Sequence, residues 1–270
     1  MGVAGGRPAV LAHCFLGHSG AWPRLLAALR APLDAVAFDL PGHGRSDPWD
    51  GSGDLLATVA AGFDELTQEG ALLIGHSFGA AGALRFAVTH PERVAGLVLI
   101  EPVFFAAARN ESEFIENEAA EAGLRAAFAA GDMAAAAAEF FALNGDAAGW
   151  AGMPAKMRAQ VLAQMPMVAA SVPGLHHDNA GLLAPGRMAG LRAPVLLLDG
   201  ALSPPIFGAV NRALARRLPQ ARRITVPGAG HMLPITHPQQ TAALIDAWLV
   251  ETGLTHADRA APKKPETRAG

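Results

Sequence analysis

The chain has 270 residues, 51% of them apolar, with a formal net charge of −3 and one cysteine. That length fits one large domain, or a domain carrying an insertion, and the apolar fraction supports a sizeable core. The charge argues against nucleic acid and anionic membranes as partners, the lone Cys14 excludes an internal disulfide, and no apolar run approaches the ~20 residues of a membrane span.

Pro8 to His13 reads as a short buried strand, followed by a loop from Cys14 to Gly20. His13 and His18 interrupt the apolar N-terminal stretch, which makes it a poor signal peptide, so a cytoplasmic protein is expected. Trp22 to Leu29 has helical apolar spacing, with Ser19 as its N-cap. Ala35 to Asp39 is a second strand and runs into a Pro- and Gly-containing turn, Leu40 to Asp47. Asp54 caps a helix that reaches about Thr67. A third apolar strand, from Leu72, ends in Gly75-His76-Ser77-Phe78-Gly79, and small apolar residues then continue at helical spacing to His90-Pro91. Val94 to Ile100 is a β-branched strand that ends at Glu101-Pro102.

Between 104 and 190 the character changes. The segment is rich in Ala and Glu, then in Met and Pro, and reads as a helical insertion. Its glutamates, Glu111, Glu113, Glu116, Glu118 and Glu121, suggest a solvated helical face rather than a metal site. The strand pattern returns at Val195 to Asp199 and Arg223 to Val226, with a helix from about Ile206 to Leu218 between them. A Gly228-Ala229-Gly230-His231 loop and a helix from Pro238 to Val250 follow. The expected organisation is therefore a core of 1–103 and 191–254, an insertion of 104–190 and a disordered tail of 255–270. Strands alternating with helices imply an α/β fold with a mostly parallel sheet of about six strands, flanked by helices and joined by right-handed crossovers. Ligands of such sheets bind beyond the strands' carboxyl ends. His13 to Gly17, Ser77, Glu101 and His231 all fall there.

The pattern Gly75-x-Ser77-x-Gly79 between a strand and a helix forces Ser77 towards positive φ, and the side-chain-free glycines let the flanking backbones approach. A serine hydroxyl needs a base within hydrogen-bond reach, and the base needs an orienting acid. His231 is the best-placed base, because the Gly-Ala-Gly loop lets it swing over the sheet's rim. The other histidines read as turn, helix-end or strand residues. His176-His177-Asp178 is set aside as a metal site, because adjacent histidines rarely converge on one ion. The backbone N–H groups of Phe15 and Phe78 are the candidate oxyanion donors. Leu16 joins Phe15 as an apolar wall, and Phe104, Phe105, Phe141, Met165 and Met232 are candidates for the rest of a pocket.

These pieces together resemble the α/β-hydrolase-fold enzymes. The resemblance rests on His13-Cys14-Phe15-Leu16-Gly17, on Asp39-Leu40-Pro41-Gly42-His43-Gly44-Arg45-Ser46, on Gly75 to Gly79 and on Gly228 to His231, in the family's order. It implies Ser77 as nucleophile, His231 as base, Asp39 to Ser46 as structural, and 104–190 as a cap over the site. Three departures stand out. Cys14 replaces the usual glycine, and a buried cysteine is expected there rather than a catalytic one. Few residues precede the first strand, so the sheet should be short at one edge. Finally, Gly200 is followed by Ala201-Leu202-Ser203, where the family commonly places its acid, and Ser203 cannot carry a negative charge. Glu101, at the end of the strand after the nucleophile strand, is the favoured substitute. Asp199 is the second choice, although at ~3.3 Å per residue it falls roughly 10 Å short of the usual position.

The function expected is that of a serine hydrolase acting on an ester, a thioester or a related acyl compound of a small to medium apolar substrate. Carbon–carbon bond hydrolysis and cofactor-free perhydrolysis use the same kind of triad. A non-catalytic ligand-binding protein on this fold is the alternative from another class. No cofactor or metal is expected, the partner is a small molecule, and nothing in the chain specifies an oligomeric state.

Overall fold

A computed structural model describes residues 5–256. Six parallel strands form one sheet in the order β2-β1-β3-β4-β5-β6. They are β1 (Arg7–Ala12), β2 (Leu33–Phe38), β3 (Ala71–His76), β4 (Val94–Ile100), β5 (Val195–Gly200) and β6 (Ala221–Val226). Strands β3, β4 and β5 are nearly continuous apolar runs because both of their faces are covered. Their residues alternate between two cores. Leu73, Leu97, Leu99 and Leu197 pack on one face with α2 (Leu55–Leu66), α3 (Phe78–Thr89) and α10 (Pro205–Ala215). Leu72, Ile74, Val98, Ile100, Leu196 and Leu198 pack on the other face with α1 (Pro23–Ala28) and α12 (Pro238–Glu251), around Trp22 and Trp248. The period of two follows from the pleat. Strand β2 is an edge of the described sheet, and Val36 on it is 47% exposed.

From β1 the chain moves outward to β2, then returns across to β3 on the other side of β1. This reversal opens a crevice at the carboxyl ends of β1 and β3. The residues between β4 and β5 contribute α4 (Ser112–Ala120), α5 (Ala122–Ala129), α6 (Met133–Leu143), α7 (Ala147–Gly152), α8 (Ala155–Ala170) and α9 (Val172–Leu175). A further short helix, α11 (Leu233–Thr236), precedes α12.

Several local expectations shift. The first helix starts at Pro23, not Trp22, since proline's missing N–H suits the first helical position. Ser19 does not cap it: it opens a preceding 3₁₀ turn, whose cap is His18, and its own N–H donates to Asp39. Asp54 caps α2 as expected, accepting from Leu56 and Ala57 N–H. Strands β2 and β6 begin two residues earlier than read, and α10 spans Pro205–Ala215. Of the five glutamates expected on a solvated face, Glu116 is exposed as expected, and the other four are engaged by partners. Glu111 and Glu113 pair with Arg216 and Arg212, while Glu118 and Glu121 meet His176 and Arg125. Arg125 is one helical turn from Glu121, but Arg212, Arg216 and His176 are distant in sequence and invisible to a local pattern. The expected disordered tail lies outside the described residues apart from Thr255 and His256.

Burial makes stability pH-dependent. It pushes the His13 imidazole down to about 4, and holds His76 well below the ordinary histidine value. Both stay neutral in the fold, whereas the unfolded chain charges them below ~6.5. The unfolded state therefore binds more protons as pH falls, so stability present above pH 6.5 is lost on the way down to 4. His13 alone accounts for about 3 kcal/mol of that loss, at 1.36 kcal/mol per pH unit. Urea midpoints measured at pH 7 and at pH 4.5 should differ accordingly, and a flat profile between them would contradict the assignment.

Candidate active site

Three side chains meet beyond the carboxyl ends of β3, β4 and β6. Ser77 follows β3 directly and has φ 55°, the positive value that the sharp strand-to-helix turn demands. Gly75 makes the turn possible, because a Cβ there would collide with Ala80 backbone; a Cβ at Gly79 would collide with the carbonyls of Ala12 and His13. Glu101 follows β4 and is also at positive φ, 46°. Leu16, in the loop after β1, is a third at 62°. Strained backbone thus clusters at this rim.

His231 lies in the loop after β6 and is 7% exposed, beside a fully buried Glu101 and a Ser77 at 6%. Its Nδ1 is 2.6 Å from Glu101 Oε2, and its Nε2 is 3.1 Å from Ser77 Oγ. An ionised carboxylate can only accept, so Nδ1 carries the proton and Nε2 turns its lone pair to the serine hydroxyl. Glu101 Oε1 is held in turn by the Gly200 N–H at 2.6 Å and by the Ser203 hydroxyl at 2.5 Å. Ser203, which looked like a lost acid, is a donor to the carboxylate that reaches in from the neighbouring strand.

Asp199, the second candidate for the acid, is placed elsewhere. Its carboxylate accepts from Arg223 Nε at 2.8 Å and Nη2 at 2.9 Å, from Asn211 at 3.0 Å and from Thr225 at 2.8 Å. In a strand, neighbouring side chains point to opposite faces. This carboxylate is committed to the partners on α10 and β6.

Residues outside the Ser77, His231 and Glu101 trio hold the site together. The His76 ring donates through Nε2 to the His231 carbonyl at 2.9 Å, and the Phe207 ring stacks on His231 at 4.4 Å. His43 Nε2 accepts the Leu16 N–H at 3.0 Å, while its Nδ1–H donates to the Pro41 carbonyl. His13 Nε2 accepts the Leu40 N–H at 3.0 Å. Asp39 accepts from Ser19 and Arg45 N–H, and these donors hold its carboxyl below the usual range although burial opposes them. The Leu40–Ser46 turn thereby braces the Phe15–Leu16 loop, and only the chain's return to β1 reveals it. Phe15 and Phe78 stack at 4.0 Å, bringing the two loops that bear the candidate oxyanion donors together. Cys14 is buried, and burial pushes its thiol up to about 12, which leaves no thiolate for chemistry.

Two cavities share Ser77, Phe15, Phe140 and Asn144. The larger, about 330 Å³, is lined by the pocket candidates Leu16, Phe141 and Met232, and also by Met153, Gln160 and Gln164. The smaller, about 180 Å³, runs beneath Phe105, Phe128, Val168 and Phe207. Phe104 and Met165 do not line either cavity. At 1% and 0% exposure they pack into the core that the insertion shares with α2 and α3. Apolar character alone could not separate a lining residue from a core one.

No helix among the described residues is long and apolar enough to cross a membrane. The profile of the Alpha/beta hydrolase family matches residues 9–244. A pimeloyl-[acyl-carrier protein] methyl ester esterase of Edwardsiella ictaluri is 30% identical over 263 residues, covering 90% of this chain and 93% of the relative. A local match of 44% over 103 residues joins 37% of this chain to the dihydrolipoyllysine-residue acetyltransferase component of the acetoin cleaving system of Pseudomonas putida, but spans only 28% of that longer protein. Among solved structures, an esterase from Rhodococcus sp. ECU1013 superposes with a TM-score of 0.65 over 94% of each chain at 23% identity, a likeness of fold. With its sheet order, its Ser77 turn and a profile match over most of its length, the chain belongs to the alpha/beta hydrolase family.

Proposed function

We propose that the protein is a serine hydrolase of carboxylic esters or thioesters, with Ser77 as nucleophile, His231 as general base and acid, and Glu101 as the orienting carboxylate. The observation that carries this reading is the single imidazole spanning Glu101 Oε2 and Ser77 Oγ, at 2.6 and 3.1 Å. His231 Nε2 takes the Ser77 proton as Oγ attacks the carbonyl carbon. The oxyanion forms against the N–H groups of Phe15 and Phe78. His231 passes the proton to the departing alkoxide or thiolate, leaving an acyl-enzyme. A water then enters, gives its proton to Nε2 and attacks the acyl carbon; the acid leaves and Ser77 recovers its proton. Glu101 stays ionised throughout and stabilises the imidazolium.

The similarity to a methyl ester esterase along nearly its whole length supports ester chemistry. The helices of 104–190 act as a cap, with Phe140, Phe141 and Met153 lining the same cavity as Ser77 and lowering the access of water to it. A fluorophosphonate probe tests the nucleophile. Mass spectrometry should find the adduct on the peptide containing Ser77 in the wild type, and no adduct in Ser77→Ala. An unlabelled but folded wild type would point instead to a ligand-binding protein.

A further inference from the structure

Ser77 opens onto both cavities, but His231 lines only the larger one. Towards the smaller cavity the imidazole is covered: Phe207, a wall of that cavity, stacks on its ring at 4.4 Å. This asymmetry has a chemical consequence. When the acyl C–O or C–S bond breaks, its electron pair stays on the leaving oxygen or sulfur and takes the proton from His231 Nε2, which stands 3.1 Å from Ser77 Oγ. In the tetrahedral intermediate Oγ and the oxyanion hold their places on the carbon. The acyl chain and the leaving group must then divide between the two cavities, and only the larger offers the leaving atom its proton donor.

The cavities also differ as containers. The larger, about 330 Å³, has His18, Asp146, Met157 and Gln160 in its lining, all exposed, so a group seated there reaches solvent. The smaller, about 180 Å³, runs along a row of rings. Phe207 lies on the catalytic imidazole, Phe105 is 6.4 Å from Phe207, and His176 is 4.8 Å from Phe105. At His176 the apolar wall gives way to charge, and the charges are matched. His176 Nδ1 is 3.0 Å from Glu118 and its Nε2 is 3.7 Å from Glu121, while Arg125 Nη1 is 3.8 and 3.6 Å from the same two carboxylates. A hydrocarbon chain that reached this cluster would part the ion pairs and offer them no partner in return. The cluster therefore sets a length limit. An apolar cavity of about 150 Å³ holds benzene, so the smaller cavity takes about six carbons.

We propose that the smaller cavity receives the acyl chain and the larger one the leaving group, so that the substrate is an ester or thioester of a short apolar acid with a bulkier alcohol or thiol. This assignment deepens the hydrolase reading and rests on Ser77 and His231 as nucleophile and base.

Isomeric esters separate the two orientations. Hexyl hexanoate, decyl acetate and ethyl decanoate share one composition and differ only in which side of the ester carries the chain. In the wild type kcat/KM should be highest for hexyl hexanoate and lowest for ethyl decanoate, about tenfold below it, with decyl acetate between them. Phe128 lines the smaller cavity alone, and Phe128→Ala should bring ethyl decanoate to within about threefold of hexyl hexanoate. The wild-type series decides the matter even if this variant does not fold. Should the oxygen esters resist cleavage, hexanoyl and decanoyl thioesters of one thiol take their place, and the hexanoyl compound should lead by about tenfold. Ethyl decanoate above decyl acetate, equal rates within the series, or a decanoyl thioester at or above the hexanoyl one would overturn the assignment. In each of those cases a fluorophosphonate adduct on Ser77 leaves the hydrolase reading standing. No adduct and no turnover of either class would overturn both.

Discussion

Glu101→Gln should lower kcat on any ester substrate by about 10⁴-fold and leave the fold intact. The reason lies in how both carboxylate oxygens are used. Oε1 accepts from the Gly200 N–H and the Ser203 hydroxyl, so in glutamine the carbonyl oxygen must take that position. The amide NH₂ is then left facing His231 Nδ1, 2.6 Å from where Oε2 stood. It can only donate, which forces Nδ1 to be the acceptor and moves the ring proton to Nε2. The ring would then present N–H, not a lone pair, to Ser77. Rapid-mixing kinetics and a melting curve on the same preparation check both halves. A variant with near-native kcat would place the acid elsewhere.

Asp199 should behave in the opposite way. Asp199→Ala is expected to destabilise the protein by about 3–5 kcal/mol, because it strands the groups the carboxylate pairs. Arg223 loses two hydrogen bonds, and Asn211, fully buried, loses the acceptor for its amide. Asp199→Asn keeps part of this network and should fall between the two. Denaturant midpoints read the loss, and the surviving folded fraction should retain most of its kcat. The contrast is the sharper test: two strand-end acids, one acting on the imidazole and one on the packing between β5, β6 and α10. A kcat collapse in Asp199→Asn without loss of stability would exchange their roles.

Parts of this arrangement were legible before any coordinates. Gly75-His76-Ser77-Phe78-Gly79 declares itself because its physics is local: a strand must turn into a helix within a few residues, and only glycine tolerates the contacts with Ala80 and the Ala12 and His13 carbonyls. The alternation of the core across β3, β4 and β5 is local too, set by the pleat. Asp54 at the start of α2 is read from one side chain and two nearby N–H groups. Ser19 failed as a cap for an equally local reason that the pattern hid, the proline at position 23.

The chain by itself therefore determines the strand–turn–helix that presents Ser77 and the parallel sheet, because each depends on contacts within a few residues or on a repeating period. The tertiary structure alone decides which carboxylate stands behind His231. Residues 101, 203 and 231 are far apart in sequence and meet only when β4, β5 and β6 lie side by side, so that Ser203 can donate to the acid it seemed to have replaced. It also decides that Phe104 and Met165 are core while Phe105 and Phe141 line cavities, since helix packing in 104–190, not hydrophobicity, sets which face turns towards the serine.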